Sequence, residues 1–426
     1  LIGTGRTGPA AATTADGPAR RLARAAVSLA PFTAALVAFK TTLDYLLPED
    51  WFASSALRIV FAGLCSLCVG LLLHVWGQRL APAPPPAPPL PDGRSPAVDA
   101  REVLGDAVRG VLAEYREVTR QGTELAGWSQ YLDDHQVPPT AVGTSYGLRV
   151  LTAFDVREPR VDRQRVLGSL LALQKPGGGW AASTQRDRGR PEITAWVLAA
   201  MVRSGLVDSA TRSALVRVLE DMLDPENDPM GMDRTTVVTA ALTALAEVAP
   251  ASPALPVLAE RLLAAGHRDG TGAGARLHWG ESARGPGRSV AHTARAVCAL
   301  HAYATRVPAA GALLGNEIRA GLTWLCEEDP DLRTTDEQLR RPVGDGTVDV
   351  LVIGHFTAAW VARALMLPIT HELPAGQERL RTAVAEVLRG CDNGTWRWHD
   401  RTRPIWMTYQ GATVLRDFAL RNTTWL

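Results

Sequence analysis

The sequence predicts an all-α fold, an (α/α)6 toroid of six helical hairpins closed into a ring over residues 100–426. Three observations predict it. The chain is rich in Ala, Leu, Val and Arg, with only 6% aromatic residues, so helix formers dominate and alternating β-branched runs are few. At 426 residues it exceeds the usual single-domain size and must split or grow by repetition. From residue 101 onward, one small helical pattern recurs six times, roughly every 40 to 65 residues, too long for tetratricopeptide or ankyrin repeats.

The recurring pattern is a Thr followed seven positions later by Leu or Met. It reads TSYGLRVL from Thr144, TAWVLAAM from Thr194, TTVVTAAL from Thr235, TARAVCAL from Thr293 and TYQGATVL from Thr408. The copy at Thr357, TAAWVARAL, reaches its Leu one residue late. These segments are apolar on nearly every face, as buried inner helices must be. Most are preceded by an amphipathic segment with its charges on one side, such as VLGSLLALQ at residues 166–174 or LRTAVAEVL at residues 380–388, suited to an outer ring.

The N-terminal quarter reads differently. Residues 1–24 have no amphipathic period and form a disordered tail ending in Arg20, Arg21 and Arg24. Residues 25–77 hold two segments that read as membrane spans: 25–47, which contains Lys40 and Asp44, and 59–75, uncharged and flanked by Trp51 and Trp76. Arginines before the first and after the second place both ends, and the ring, in the cytoplasm. A pair of buried helices in a soluble domain is the alternative. Residues 78–99 form a Pro-rich linker.

Charge and cysteines narrow the partners. The 45 basic and 44 acidic residues give no broad positive field, so nucleic acid is set aside. Cys65, Cys68, Cys298, Cys326 and Cys391 have neither disulfide-framework nor zinc-finger spacing, and read as reduced thiols, with Cys298 in the core.

Gly and Trp mark the loops between outer and inner helices: Gly127-Trp128, Gly178-Gly179-Trp180, Trp279-Gly280 and Gly394-Thr395-Trp396. The stretch QKPGGGW, with Gln174, Gly178 and Trp180, resembles the glutamine-tryptophan (QW) motif of squalene-hopene cyclases and other class II terpene cyclases, whose toroid is shared with protein prenyltransferase β-subunits. In such a motif Gln can bond a helix end while Trp stacks beneath it, stapling adjacent repeats.

If the recurring Thr residues mark equivalent places, the residues one and two before them gather at the N-terminal ends of the inner helices: Glu192, Asp233, Arg234, His292 and His355, with Tyr146, Trp196 and Gln410, two positions beyond their Thr, pointing inward. Helix N-termini favour anions, so this ring of residues can bind a diphosphate or cap its helices. Against the cyclases' D-x-D-D-T-A motif, residues 231–236 keep the middle acid as Asp233 but carry Gly231 and Arg234 beside it. An adjacent cation stabilises the ionised form and discourages proton donation. Against the prenyltransferases' Asp-x-Cys and His-Thr zinc ligands, Asp233 and His292-Thr293 match, but Thr235 replaces the thiolate, which makes zinc an unfavoured cofactor. His355 reads as a general base or a hydrogen-bonded structural residue, Asp345 and Asp349 as helix caps, and Asp133-Asp134 as a loop pair.

Two functions follow. The first is a membrane-anchored terpene cyclase-like or prenyltransferase-like toroid that binds or transforms an isoprenoid or other long apolar ligand, with Asp233 as acid, His292 and His355 beside it, and Glu192, Arg234, Tyr146, Trp196 and Gln410 lining the site. The second is a catalytically inactive toroid that senses a ligand or holds a protein partner at the membrane.

Overall fold

The computed structural model describes residues 96–422, apart from 186–187, 286, 329–330 and 344–345. The chain divides into residues 1–92 and 93–426, and the second unit is the ring. The basic tail, the two expected membrane spans and nearly all of the linker fall outside the described residues, as do Cys65, Cys68 and Asp345. Among the described residues, no helix is long and apolar enough to cross a membrane.

Six pairs of helices alternate outside and inside. They are α1 (Pro96–Ala113) with α2 (Ala141–Ala153), α3 (Arg163–Ala172) with α4 (Pro191–Arg203), and α5 (Ser209–Met222), after the single turn α6 (Pro229–Met232), with α7 (Thr235–Val248). The remaining pairs are α8 (Ala254–Ala264) with α9 (Val290–Arg306), α10 (Pro308–Glu327) with α11 (Thr357–Leu365), and α12 (Gly376–Arg389) with α13 (Ile405–Asn422). The inner helices pack α2 on α4, then α7, α9, α11 and α13, and α13 returns to α2, closing the ring. The first outer helix starts at Pro96, four residues inside the expected linker.

Local chemistry sets these boundaries. Asp162, Asp208, Thr140 and Ser289 cap α3, α5, α2 and α9 by accepting backbone N–H bonds in the first turn. Pro191 opens α4, where its missing N–H costs nothing, and Glu192 beside it suits the positive helix end. In α2, α4, α9 and α13 the recurring Thr is the fourth helical residue, whereas Thr235 and Thr357 are the first of α7 and α11. The six threonines are therefore not equivalent, and Asp233 and His355 sit about one turn before the places of Glu192 and His292.

The tryptophans staple the pairs. Trp128, Trp180, Trp279 and Trp396 are wholly buried, and their indole N–H groups donate to the carbonyls of Val111, Leu170, Leu262 and Val387, each near the C-terminal end of the preceding outer helix. Three of them also donate a backbone N–H to the inner-helix Thr144, Thr194 or Thr293. The staple is thus tryptophan with threonine; Gln174 contributes a backbone N–H to Leu171. Glycine makes room for the rings: a Cβ at Gly147 would lie 2.3 Å from the Trp128 ring, and one at Gly411 2.5 Å from Trp396.

Among the described residues, four antiparallel β-hairpins, all lying between an outer and an inner helix, depart from the all-helical expectation. They are β1 (Arg116–Arg120) with β2 (Thr123–Gly127), β3 (His267–Asp269) with β4 (Arg276–His278), β5 (Thr335–Pro342) with β6 (Val348–His355), and β7 (Cys391–Asp392) with β8 (Thr395–Trp396). The β5–β6 hairpin is the longest and turns one face inward. Glu337, Leu339 and Arg341 of β5, with Asp349, Leu351, Ile353 and His355 of β6, are buried in strict alternation.

Candidate functional site

The buried face of β5–β6 meets the N-terminal ends of four inner helices. Arg341, 2% exposed, forks onto Glu192 of α4 through Nη1 (2.8 Å) and Nη2 (3.0 Å), and reaches Asp228 through Nε (3.1 Å) and Nη2 (2.7 Å). Arg190 donates to Asp349 at 2.9 Å. Glu337, on the same face, receives the Nε2 atoms of His292 and of His355 (3.3 Å) on a single oxygen, Oε2, with Thr236 Oγ1 also 3.3 Å from it. Burial pushes the Glu337 carboxyl up, but hydrogen bonds from the two imidazoles outweigh it and hold the group well below the usual carboxylate range. Burial brings the His355 imidazole down to about 4, against the pull of Glu337.

Several expected roles change in this setting. Glu192 is fully buried and committed to Arg341. Asp349 is a strand residue paired with Arg190 rather than a helix cap. Asp233 sits on the rim as the residue that follows the α6 turn, its Oδ1 3.7 Å from Arg284 Nε, apart from the histidines and from the central cavity. Arg234 bonds the Gln338 carbonyl of β5 (3.2 Å) and Glu281 (3.4 Å). Gly231 stands where the cyclase motif has its first acid, and a Cβ there would lie 2.1 Å from Asp228 and 2.4 Å from Arg341. The Arg341 network therefore fills the space that a row of motif acids needs. Asp134 accepts backbone N–H bonds from Gln136 and Val137 in its own loop, whereas Asp133 accepts one from Arg403, remote in sequence.

The prenyltransferase zinc set does not assemble either. Asp233 is on the rim, the Thr235 hydroxyl donates to the Gly280 carbonyl, and only His292 points inward. Glu337 is the residue missed by reading the sequence. The signal for it in the sequence is the alternation of residues 335–342 and 348–355 on either side of a Gly-Asp-Gly stretch.

Inside the ring lies a cavity of about 170 Å³ lined by all six inner helices. Arg149, Arg203, Arg295 and Arg363 line it together with the rings of Tyr146, Trp196, Trp360 and Tyr409. Arg295 stacks on Trp360 (4.7 Å), Arg363 on Trp360 and Tyr409 (5.4 Å each), and Arg149 on Tyr146 (5.4 Å) and Tyr409 (5.8 Å). Glu247 is the only carboxylate among the described lining residues, and Arg203 takes both its oxygens. The exposed lining residues, Arg203 and Thr243, lie toward the C-terminal ends of α4 and α7, where the cavity opens.

Electrostatics in this cavity are dominated by cations. Burial pushes the Tyr409 phenol up, but Arg363, Arg149 and Arg203 outweigh it and bring the group down to about 8. Arg295 is 5% exposed, forms no ion pair among the described residues, and has a buried Nε without a partner. Burial lowers its pKa. Cys298, expected in the core, lines the cavity, and burial pushes its thiol up to about 12. Tyr146, Trp196 and Gln410 line the cavity together with Arg295, and these four also wall a smaller pocket of about 40 Å³ against Leu351, Ile353 and Trp406.

No protein-family description and no curated protein matches this sequence. Among solved structures, the chain is similar to a variant of the type II terpene cyclase MstE from Scytonema in complex with its substrate geranylgeranyl dihydroxybenzoate, at 15% identity and a TM-score of 0.45, over 76% of this chain and 99% of that one. The apo form of that cyclase aligns at 13% identity and a TM-score of 0.44, over 78% and 99% of the two chains. A family 76 glycoside hydrolase from a bovine Bacteroides thetaiotaomicron strain aligns at 10% identity and a TM-score of 0.45, over 77% and 78%.

Proposed function

We propose that the ring is a binding protein for a small amphipathic anion: a phosphate, sulfate or carboxylate head on a flat or short apolar body, held in the central cavity. The observation that carries this reading is Arg295, a buried guanidinium with no carboxylate partner, in a cavity where three further arginines outnumber one acid. An unpaired buried cation is costly unless an anion accompanies it. The stacked aromatic rings supply flat apolar walls and hold the guanidiniums in place without neutralising them.

The same features speak against carbocation chemistry. A developing carbocation is stabilised by aromatic faces and negative charge, and four guanidiniums around the cavity oppose it. Among the residues lining the cavity, no acid is placed to protonate an alkene: Glu247 is paired with Arg203, and Asp233 lies on the rim. The reading therefore favours a ligand-binding or sensing toroid over a cyclase.

A second reading rests on the pocket beneath β6. Its apolar wall of Leu351, Ile353 and Trp406 adjoins the cavity through Tyr146, Trp196, Arg295 and Gln410, so a prenyl diphosphate can place its head on the arginines and a tail toward the hairpin. Anchoring by residues 25–77 would then supply the ligand from a bilayer. Isothermal titration of the full-length chain with phenyl phosphate and with geranyl diphosphate tests both readings. Binding of phenyl phosphate, weakened at least about tenfold in Arg295→Met, is expected from losing one charge-assisted contact. Binding of geranyl diphosphate alone would favour the second reading, and no binding of either would refute both.

A further inference from the structure

We infer that His292, Glu337 and His355 form a binding site for one divalent transition-metal ion of the zinc class, which fastens the β5–β6 hairpin into the mouth of the ring. The three side chains come from separate elements: His292 from the first turn of α9, Glu337 from β5, and His355 from the end of β6, directly before α11. Their ligand atoms all lie within 4.8 Å of one another. Both imidazoles aim Nε2 at the same carboxylate oxygen, and the rings meet edge to face with centroids 4.6 Å apart.

Charge distinguishes this cluster from the rest of the mouth. Glu192 and Asp228 share the Arg341 guanidinium, and Asp349 has Arg190. Glu337 alone on the buried hairpin face is met by imidazoles instead of a guanidinium, although its side chain is 0% exposed. Its second oxygen, Oε1, and Nδ1 of His355 are buried with no hydrogen-bond partner among the described residues. A carboxylate with one bare oxygen in a dry interior is unfavourable unless a cation meets it. An ion at this junction supplies that cation and replaces the protons that the three groups otherwise share.

The surroundings are those of a metal site. Ser289 Oγ lies 2.7 Å from His292 Nδ1, the outer partner that orients a ligating imidazole. Thr236 Oγ1, 3.2 Å from His292 Nε2 and 3.3 Å from Glu337 Oε2, is placed to donate an oxygen or to hold a bound water in the fourth position. Two imidazoles and one carboxylate suit zinc and its first-row neighbours, whereas magnesium and calcium prefer all-oxygen sets. Because one ligand belongs to the ring and two to the hairpin, the ion acts as a cross-link between them.

The test uses the full-length chain, purified without a histidine tag. Elemental analysis is expected to find about one zinc or similar ion per chain, chelation to lower the melting temperature by several degrees, and added zinc to restore it. Glu337→Gln and His355→Gln should lose the metal and the chelator response together. Should both variants fail to fold, cobalt substitution of the wild-type chain decides: intense visible bands of a four-coordinate site are expected, quenched by zinc. A folded wild-type chain without stoichiometric metal, which neither zinc nor cobalt stabilises, would overturn the inference. Metal retained undiminished in the folded Glu337→Gln variant would do the same.

Discussion

The two ends of the ring hold similar numbers of charged groups and use them in opposite ways. At the N-terminal end Arg341 and Arg190 are neutralised by Glu192, Asp228 and Asp349, all buried and bonded at 2.7–3.1 Å. In the central cavity three of the four arginines stack on aromatic rings, and the four have one carboxylate among them. Paired charges fix geometry, and unpaired ones store affinity for something that is not part of the chain. The end that holds most of the motif-like residues is therefore the structural one, and the cavity beyond it is where binding is to be sought.

Substitutions at the two ends should separate these roles. The largest effect is expected for Arg341→Met, which strands two buried carboxylates. Loss of one partner from a buried ion pair costs about 3–5 kcal/mol, and denaturant unfolding of the full-length chain measures it. A smaller loss, about 1–3 kcal/mol, is expected for Gly147→Ala, whose new methyl would press on the Trp128 ring. By contrast, Arg295→Met should leave stability unchanged or raise it, since it removes a buried cation without a partner, while abolishing most of the stabilisation that phenyl phosphate gives the wild-type chain. A loss as large as that of Arg341→Met would break the comparison.

The smallest effect is a pH dependence. Tyr409 titrates near 8 in the folded chain against about 10 when unfolded, so its phenolate adds stability that builds from about pH 8 to 10, is complete above 10 and is absent at neutral pH. Once ionised it competes for Arg149, Arg203 and Arg363. Anion affinity should therefore fall as pH rises through about 8, and Tyr409→Phe should flatten that fall. Tyrosinate absorbance should show one early-titrating residue, missing from the variant.

The helical ring was legible because its signals are local. Apolar inner segments, amphipathic outer ones and the Trp-bearing loops each announce themselves within a dozen residues, and the Thr residues mark four of the six inner helices at one helical position. The hairpin was not legible for the same reason in reverse. Its buried face carries Glu337, Arg341, Asp349 and His355 where an ordinary strand would carry apolar residues, so its alternation reads as polar loop. Their partners are remote in sequence: Arg341 and Glu192 lie 149 residues apart. Asp233 attracted attention as the surviving motif acid, but Gly231 and the Arg341 network reshape its neighbourhood. Tyr146, Trp196 and Gln410 were placed facing inward from their helical phase alone, and they line the cavity. The arginines that give the cavity its character could not be read from the sequence, because each lies on a different helix and only ring closure assembles them.

The most direct measurement is native mass spectrometry of the full-length chain, purified at low ionic strength, followed by extraction and identification of what it carries. The account predicts a bound small anion with an aromatic or short apolar body, lost in Arg295→Met while the protein stays folded. An uncharged polycyclic isoprenoid, retained equally by both proteins, would contradict it.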